Sequence, residues 1–146
     1  MFLLWVGMLF GCTSEALVPS GTFEVFNVVD VGGGDGEEPP QVDAVVEIDR
    51  DDGVLSIGEG AWDLNSTPRG GWVSGCPTNY TSVSLEVLTI EGPMDVDGVV
   101  LDAPMVVADC GGESAVLMEG INASAGGGGP CSYARGLCLE LRPTSE

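Results

Sequence analysis

A chain of 146 residues with 23 Asp and Glu against four Arg, no Lys and no His carries a net charge of -19. That length fits one domain, and 44% apolar residues argue against wholesale disorder. The scattered cations Arg50, Arg69, Arg135 and Arg142 supply no cationic stripe for phosphates, so no nucleic-acid partner is expected, and the same charge opposes spreading on an anionic bilayer.

Residues 2 to 11 form an uncharged apolar run that ends at Cys12 and gives way to the polar Thr13, Ser14 and Glu15. A permanent transmembrane helix needs about 20 such residues, whereas the apolar part of a signal peptide has this shorter length. Leu9-Phe10-Gly11-Cys12 resembles the lipobox of bacterial lipoproteins. The resemblance covers about twelve residues. It implies that residues 1–11 are a signal peptide, that Cys12 becomes the acylated first residue, and that the membrane is a partner through that lipid. Thr13 beside the cysteine resembles the signal for transfer to the outer membrane.

With Cys12 assigned to lipid, Cys76, Cys110, Cys131 and Cys138 remain, an even set in an exported chain and hence a disulfide framework. Three pairings are open. The favoured one closes a local loop between Cys131 and Cys138 and a longer loop between Cys76 and Cys110. A four-cysteine zinc site is disfavoured, because the close C-x-x-C pairs that set a tetrahedron are missing.

Residues 12–20 read as acylated cysteine and tether, at most about 30 Å long when extended, and residues 21–146 as the domain. Candidate strands run from Thr22 to Val31, Val42 to Asp49, Val54 to Ile57, Ala61 to Leu64, Val83 to Ile90, Gly98 to Asp102, Met105 to Ala108, Ser114 to Glu119 and Leu137 to Arg142. Asp52-Gly53 suits the positive φ of a tight hairpin between the second and third of these. The apolar parity shifts after Val87 and Leu88, which implies either a bulge or burial on both faces. Residues 32–41 and 126–130, rich in Gly and Pro, read as loops. With 23 Gly and 9 Pro and no 3.6-residue apolar stripe, the expected fold class is all-β. It is expected to be a single small antiparallel β-sandwich or β-barrel of about eight to nine short strands, braced by disulfides.

Without His, the usual general base of Ser and Cys nucleophiles is missing, and without Lys there is no Schiff base. Paired carboxylates, as in glycoside hydrolysis, are the remaining catalytic option, but no pair is marked, so no enzyme, no catalytic residues and no cofactor are expected. Calcium is the one cation to which the acidic turns suit themselves: Asp49 to Gly53, Asp95 to Gly98, and Asp35 with Glu37 and Glu38. None follows the EF-hand pattern, and Asp and Gly also stand in turns for their backbone chemistry, so no metal site is assigned. Trp62 and Trp72 bracket a loop that could meet a glycan or protein, although indoles in small β domains mostly fill the core. Asn65, Asn79 and Asn122 open glycosylation sequons, which matter only in a eukaryotic secreted chain. The expectation is therefore an exported, lipid-anchored protein of the cell envelope with a non-catalytic binding or structural role. The alternatives are a calcium-dependent adhesion module, a secreted N-glycosylated domain and a carboxylate hydrolase.

Overall fold

A computed structural model describes residues 13–30, 41–66, 72–75, 82–110, 113–120, 131 and 134–144. Among these are twelve strands and no helix: β1 (Thr13–Ala16), β2 (Gly21–Asp30), β3 (Val45–Asp49), β4 (Val54–Ile57), β5 (Gly60–Ser66), β6 (Trp72–Gly75), β7 (Ser82–Ile90), β8 (Met94–Val96), β9 (Val99–Leu101), β10 (Pro104–Ala108), β11 (Ala115–Glu119) and β12 (Leu137–Pro143).

Eight of them close a ring. From β7 the antiparallel ladder passes through β10, β11, β12, β2, β3, β4 and β5, and β5 pairs back onto β7 through Leu64 opposite Ile90. Closure decides between the two architectures left open by the alternation, because a barrel leaves no unpaired edge in the ring. The nine residues of β7 make this possible. Its upper half pairs with β10 and β5, while its lower half, Ser82 to Glu86, carries β1 in parallel and β6 antiparallel. Ser66 of β5 lies opposite Leu88 and Trp72 of β6 opposite Glu86, so β5 and β6 follow one another along the same strand.

The interior is filled by side chains. One inward ladder crosses five strands without a polar atom: Leu88, Val106, Leu117, Leu139 and Val28 are cross-strand partners in turn, and all are buried. Phe23 opposite Val46, and Ile48 opposite Leu55 opposite Trp62, complete the far wall. In an eight-stranded barrel such residues meet across the axis, and each fully buried Leu or Val contributes about 2 kcal/mol. The β2–β12 ladder slips between Glu140 and Leu141, where β2 contributes the extra residue Phe26. The bulge falls there, whereas Leu85, Val87, Leu88 and Ile90 are buried alike, so burial on both faces explains the parity shift in β7.

A chain segment reaches across each end of the ring. The β8–β9 hairpin is inserted between β7 and β10 and buries Met94, Val96 and Leu101 completely. Asp97 and Gly98 take φ of 52° and 85° at its two-residue turn, the pair of positive values that a tight hairpin needs. Asp97 also reaches the segment before β3, where its Oδ2 accepts the Asp43 N–H at 2.9 Å. At the opposite end lies residues 13–20, and here the expected tether is corrected. Thr13 to Ala16 is strand β1, and Ala16 and Val18 are 4% and 2% exposed. These apolar side chains belong to the core, so residues 13–20 are packed into the fold and do not hang from it as a tether. The expected strand from Thr22 to Val31 is found as β2, Gly21–Asp30, paired on both edges, while Val31 lies outside the described residues.

Candidate functional site

Three chain segments meet in a cleft of about 380 Å³ on the barrel rim: Asp102 and Ala103 before β10, Glu119 and Gly120 at the end of β11, and Arg135 and Gly136 before β12. Backbone hydrogen bonds fix all three. The Gly120 N–H donates to the Ala103 carbonyl at 3.0 Å and the Arg135 N–H to the Glu119 carbonyl at 2.9 Å. The Glu119 carboxylate holds the remaining corners, accepting the Leu137 N–H at 2.9 Å on Oε1 and the Asp102 N–H at 3.0 Å on Oε2. Both of its oxygens are therefore engaged by the backbone, a staple among strands rather than a free acid.

Two glycines make room for this. Gly120 has φ +58°, and a Cβ there would sit 2.7 Å from Cδ of Arg135, whose stem lies across it. A Cβ on Gly136 would meet Oε1 of Glu119. Ala103 adopts φ 49°, the left-handed region that costs an L side chain about 1 kcal/mol or more. Arg135 stands out among the cations. Arg50 and Arg142 are each in a salt bridge, to Glu86 and to Glu24, both at 2.7 Å. Among the described residues the Arg135 guanidinium has no ion pair, and neither has the Asp102 carboxylate. Both side chains are exposed.

A second cleft, of about 410 Å³, lies on the outer face of β2, β3 and β4 and includes Thr22, Glu47, Asp49, Asp51 and Asp52. This is one of the acidic clusters read as a calcium candidate. Its geometry is that of a turn: Asp49 Oδ1 accepts the Asp52 N–H at 3.0 Å, and Gly53 has φ +68°. The Asp95 cluster repeats the pattern, with Oδ1 of Asp95 accepting the Gly98 N–H at 2.8 Å. Among the described residues no three acidic or sulfur side chains converge as a metal site would require. Asp35, Glu37 and Glu38 lie outside the described residues.

Cys131 and Cys138 form a disulfide, with Cα atoms 5.7 Å apart and a sequence separation of 7. Cys110 is also disulfide-bonded. Cys76, its expected partner, and Cys12, the expected lipid site, lie outside the described residues, as do Asn79 and Asn122. Trp62 is partly buried against the core, consistent with packing, and Asn65 is exposed on β5.

One charged group escaped the sequence reading. Glu86 is 9% exposed and shares the inward face of β7 with Leu88. Its two oxygens accept both terminal nitrogens of Arg50, at 2.7 and 3.0 Å, and Oε1 also accepts the Val18 N–H at 3.0 Å. Arg50 in turn donates to the Val18 carbonyl at 2.8 Å. This bidentate pair locks the segment between β1 and β2 across the lower mouth. A lone Glu inside the run Leu85-Glu86-Val87-Leu88 was the available signal.

Among the described residues no helix is long and apolar enough to cross a membrane. No family model, no curated protein and no solved structure matches the chain.

Proposed function

We propose that the chain is an exported protein of the bacterial cell envelope, anchored by lipid on Cys12, whose barrel has a non-catalytic binding or structural role. The observation that carries the reading is the join between leader and fold. The apolar run ends in Leu9-Phe10-Gly11-Cys12, and the residues directly after it, Thr13–Ala16, already form a strand of the described fold. Cleavage before Cys12 would remove the apolar leader and leave the barrel whole. The Cys131–Cys138 disulfide and the bonded state of Cys110 support maturation in an oxidising compartment.

The fold sharpens what such an anchor would do. With β1 beginning beside the acylated residue and pairing at once with Ser82 of β7, the anchor has no slack. The lower end of β7 is then held against the bilayer and the rim cleft is carried at a fixed height. Several acyl chains give effectively stable attachment where a single chain is marginal, and confinement at the surface raises the local concentration of whatever the barrel binds. Thr13 beside the modified cysteine favours the outer membrane as the destination.

Intact-mass spectrometry on protein purified from its native host tests this. The expected mass lacks residues 1–11, gains acyl chains on Cys12 and lacks four hydrogens for two disulfides. A full-length, unacylated chain with free thiols would overturn it.

A further inference from the structure

We infer that the rim cleft between Arg135 and Asp102 binds a small zwitterion, with a carboxylate taken by Arg135 and an ammonium group by Asp102, the chemistry of a free α-amino acid. This does not depend on the lipid anchor.

The cleft is built rather than incidental. Four hydrogen bonds from three separate segments converge on it, two of them consuming both oxygens of Glu119, so its walls do not depend on a ligand for order. Its two glycines stand where a Cβ would strike the Arg135 stem or the Glu119 carboxylate, and its third wall is the left-handed Ala103. Strain in a fixed pocket wall is a marker of a working surface. The volume, about 380 Å³, lies at the lower end of small-molecule sites.

Charge selects the ligand. In a chain with 23 carboxylates and four cations, an arginine without a partner is the exception, and Arg135 is the one described arginine outside a salt bridge. Its stem is laid across Gly120, its backbone N–H is bound to Glu119, and the residue lines the cleft. A guanidinium binds carboxylate through two parallel N–H donors. A simple anion, however, meets the field of a protein of net charge -19 together with Asp102 lining the same cleft. A simple cation meets Arg135. A ligand that carries both charges satisfies both groups and adds no net charge, so it alone avoids each penalty.

The test is a titration of the full chain in detergent, followed through the backbone amide resonances of Ala103, Gly120 and Gly136. L-alanine and D-alanine are the probes, with acetate and methylammonium as half-ligands. The expected result is a saturable shift at these three amides with one or both alanine enantiomers, at least about tenfold weaker with either half-ligand. Arg135→Gln and Asp102→Asn, both exposed positions, are each expected to weaken binding about tenfold while the remaining amide spectrum stays in place. No saturable shift with either enantiomer, equal binding of acetate, or unchanged binding in both variants would overturn the inference.

Discussion

Val45, Glu47 and Asp49 on the outer face of β3 stand in solvent, Val45 being 52% exposed, whereas Val107 on the outer face of β10 is completely buried. The same contrast divides the whole wall. Along β2 to β5 the strands are apolar inside and wet outside. Along β7, β10, β11 and β12 both faces are apolar: Val87, Val107 and Val116 form one outward ladder, and Met118 with Cys138 another, all buried. A sheet with two dry faces requires a second layer. On β12 the outward Cys138 is joined to Cys131, and Ala134 between them is 3% exposed, so the disulfide ties the β11–β12 connection to this half of the wall. The outward ladder returns to water one strand later, where Glu140 faces Asn27 and accepts its side-chain N–H at 2.7 Å. One barrel thus contains a half that needs only its own interior and a half that depends on what lies over it.

The largest test of that division is a charge on each half. Val107→Asp places a carboxylate in a dry layer, and is expected to cost about 4 kcal/mol or more, a large part of the stability of a domain this size. Val45→Asp, on the open half, is expected to change stability by less than about 0.5 kcal/mol. Urea unfolding of both variants measures the difference. Similar midpoints for the two would dissolve the distinction.

The lower mouth gives the next effect. Glu86→Leu leaves Arg50 without its bidentate partner in a partly buried site and should destabilise by about 3 kcal/mol. Replacing both, with Glu86→Leu and Arg50→Met, is expected to recover most of that loss, because the pair itself contributes little beyond an apolar substitute. A double variant as unstable as the single one would show that the hydrogen bonds to Val18, and not the stranded charge, hold the mouth closed.

Replacing Cys131 and Cys138 together by Ser should cost about 2.5 kcal/mol in the chain-entropy picture for so short a loop. The loss is expected to be local first. Limited proteolysis should cut between β11 and β12 before the open half unfolds, as hydrogen exchange on β3 and β4 would register. Loss of protection in β3 and β4 at the same rate would mean that the two halves are a single cooperative unit.

The division also explains what the sequence disclosed. On the open half the alternation of Val46 and Ile48 with Glu47 and Asp49, and the turn at Asp52-Gly53, announced β3 and β4 directly, because one wet face imposes a period of two. On the covered half Leu85 to Leu88 and Ala115 to Met118 are nearly continuous apolar runs, in which neither face is marked. Three residues of β8 were too short to show a period, and Asp95 to Gly98 advertised only the turn that joins it to β9. Thr13 to Ser20 looked polar enough to be a tether, since among its described side chains just Ala16 and Val18 are driven inward. The rim cleft was hidden for another reason. Arg135, Asp102 and Gly120 are far apart in the chain and are brought together by barrel closure, which no local pattern encodes.

The smallest expected effect separates turn from ligand on the open half. Asp49 accepts the Asp52 N–H within the β3–β4 turn, and Asp49→Ala removes that hydrogen bond at an exposed site, with an expected cost of about 1 kcal/mol. A turn-forming Asp acts through its own backbone, so the cost should be the same in chelator and in millimolar calcium, and calcium should leave the melting temperature of the unsubstituted protein unchanged. A cation held by Asp49, Asp51 and Asp52 predicts the reverse: added calcium would raise the melting temperature by linkage, and Asp49→Ala would abolish the rise. Because the described carboxylates on this face do not converge, the first outcome follows from the geometry. A calcium-dependent shift would require the open half to rearrange around the ion, and with it the wet outer face on which the contrast with β10 and β11 rests.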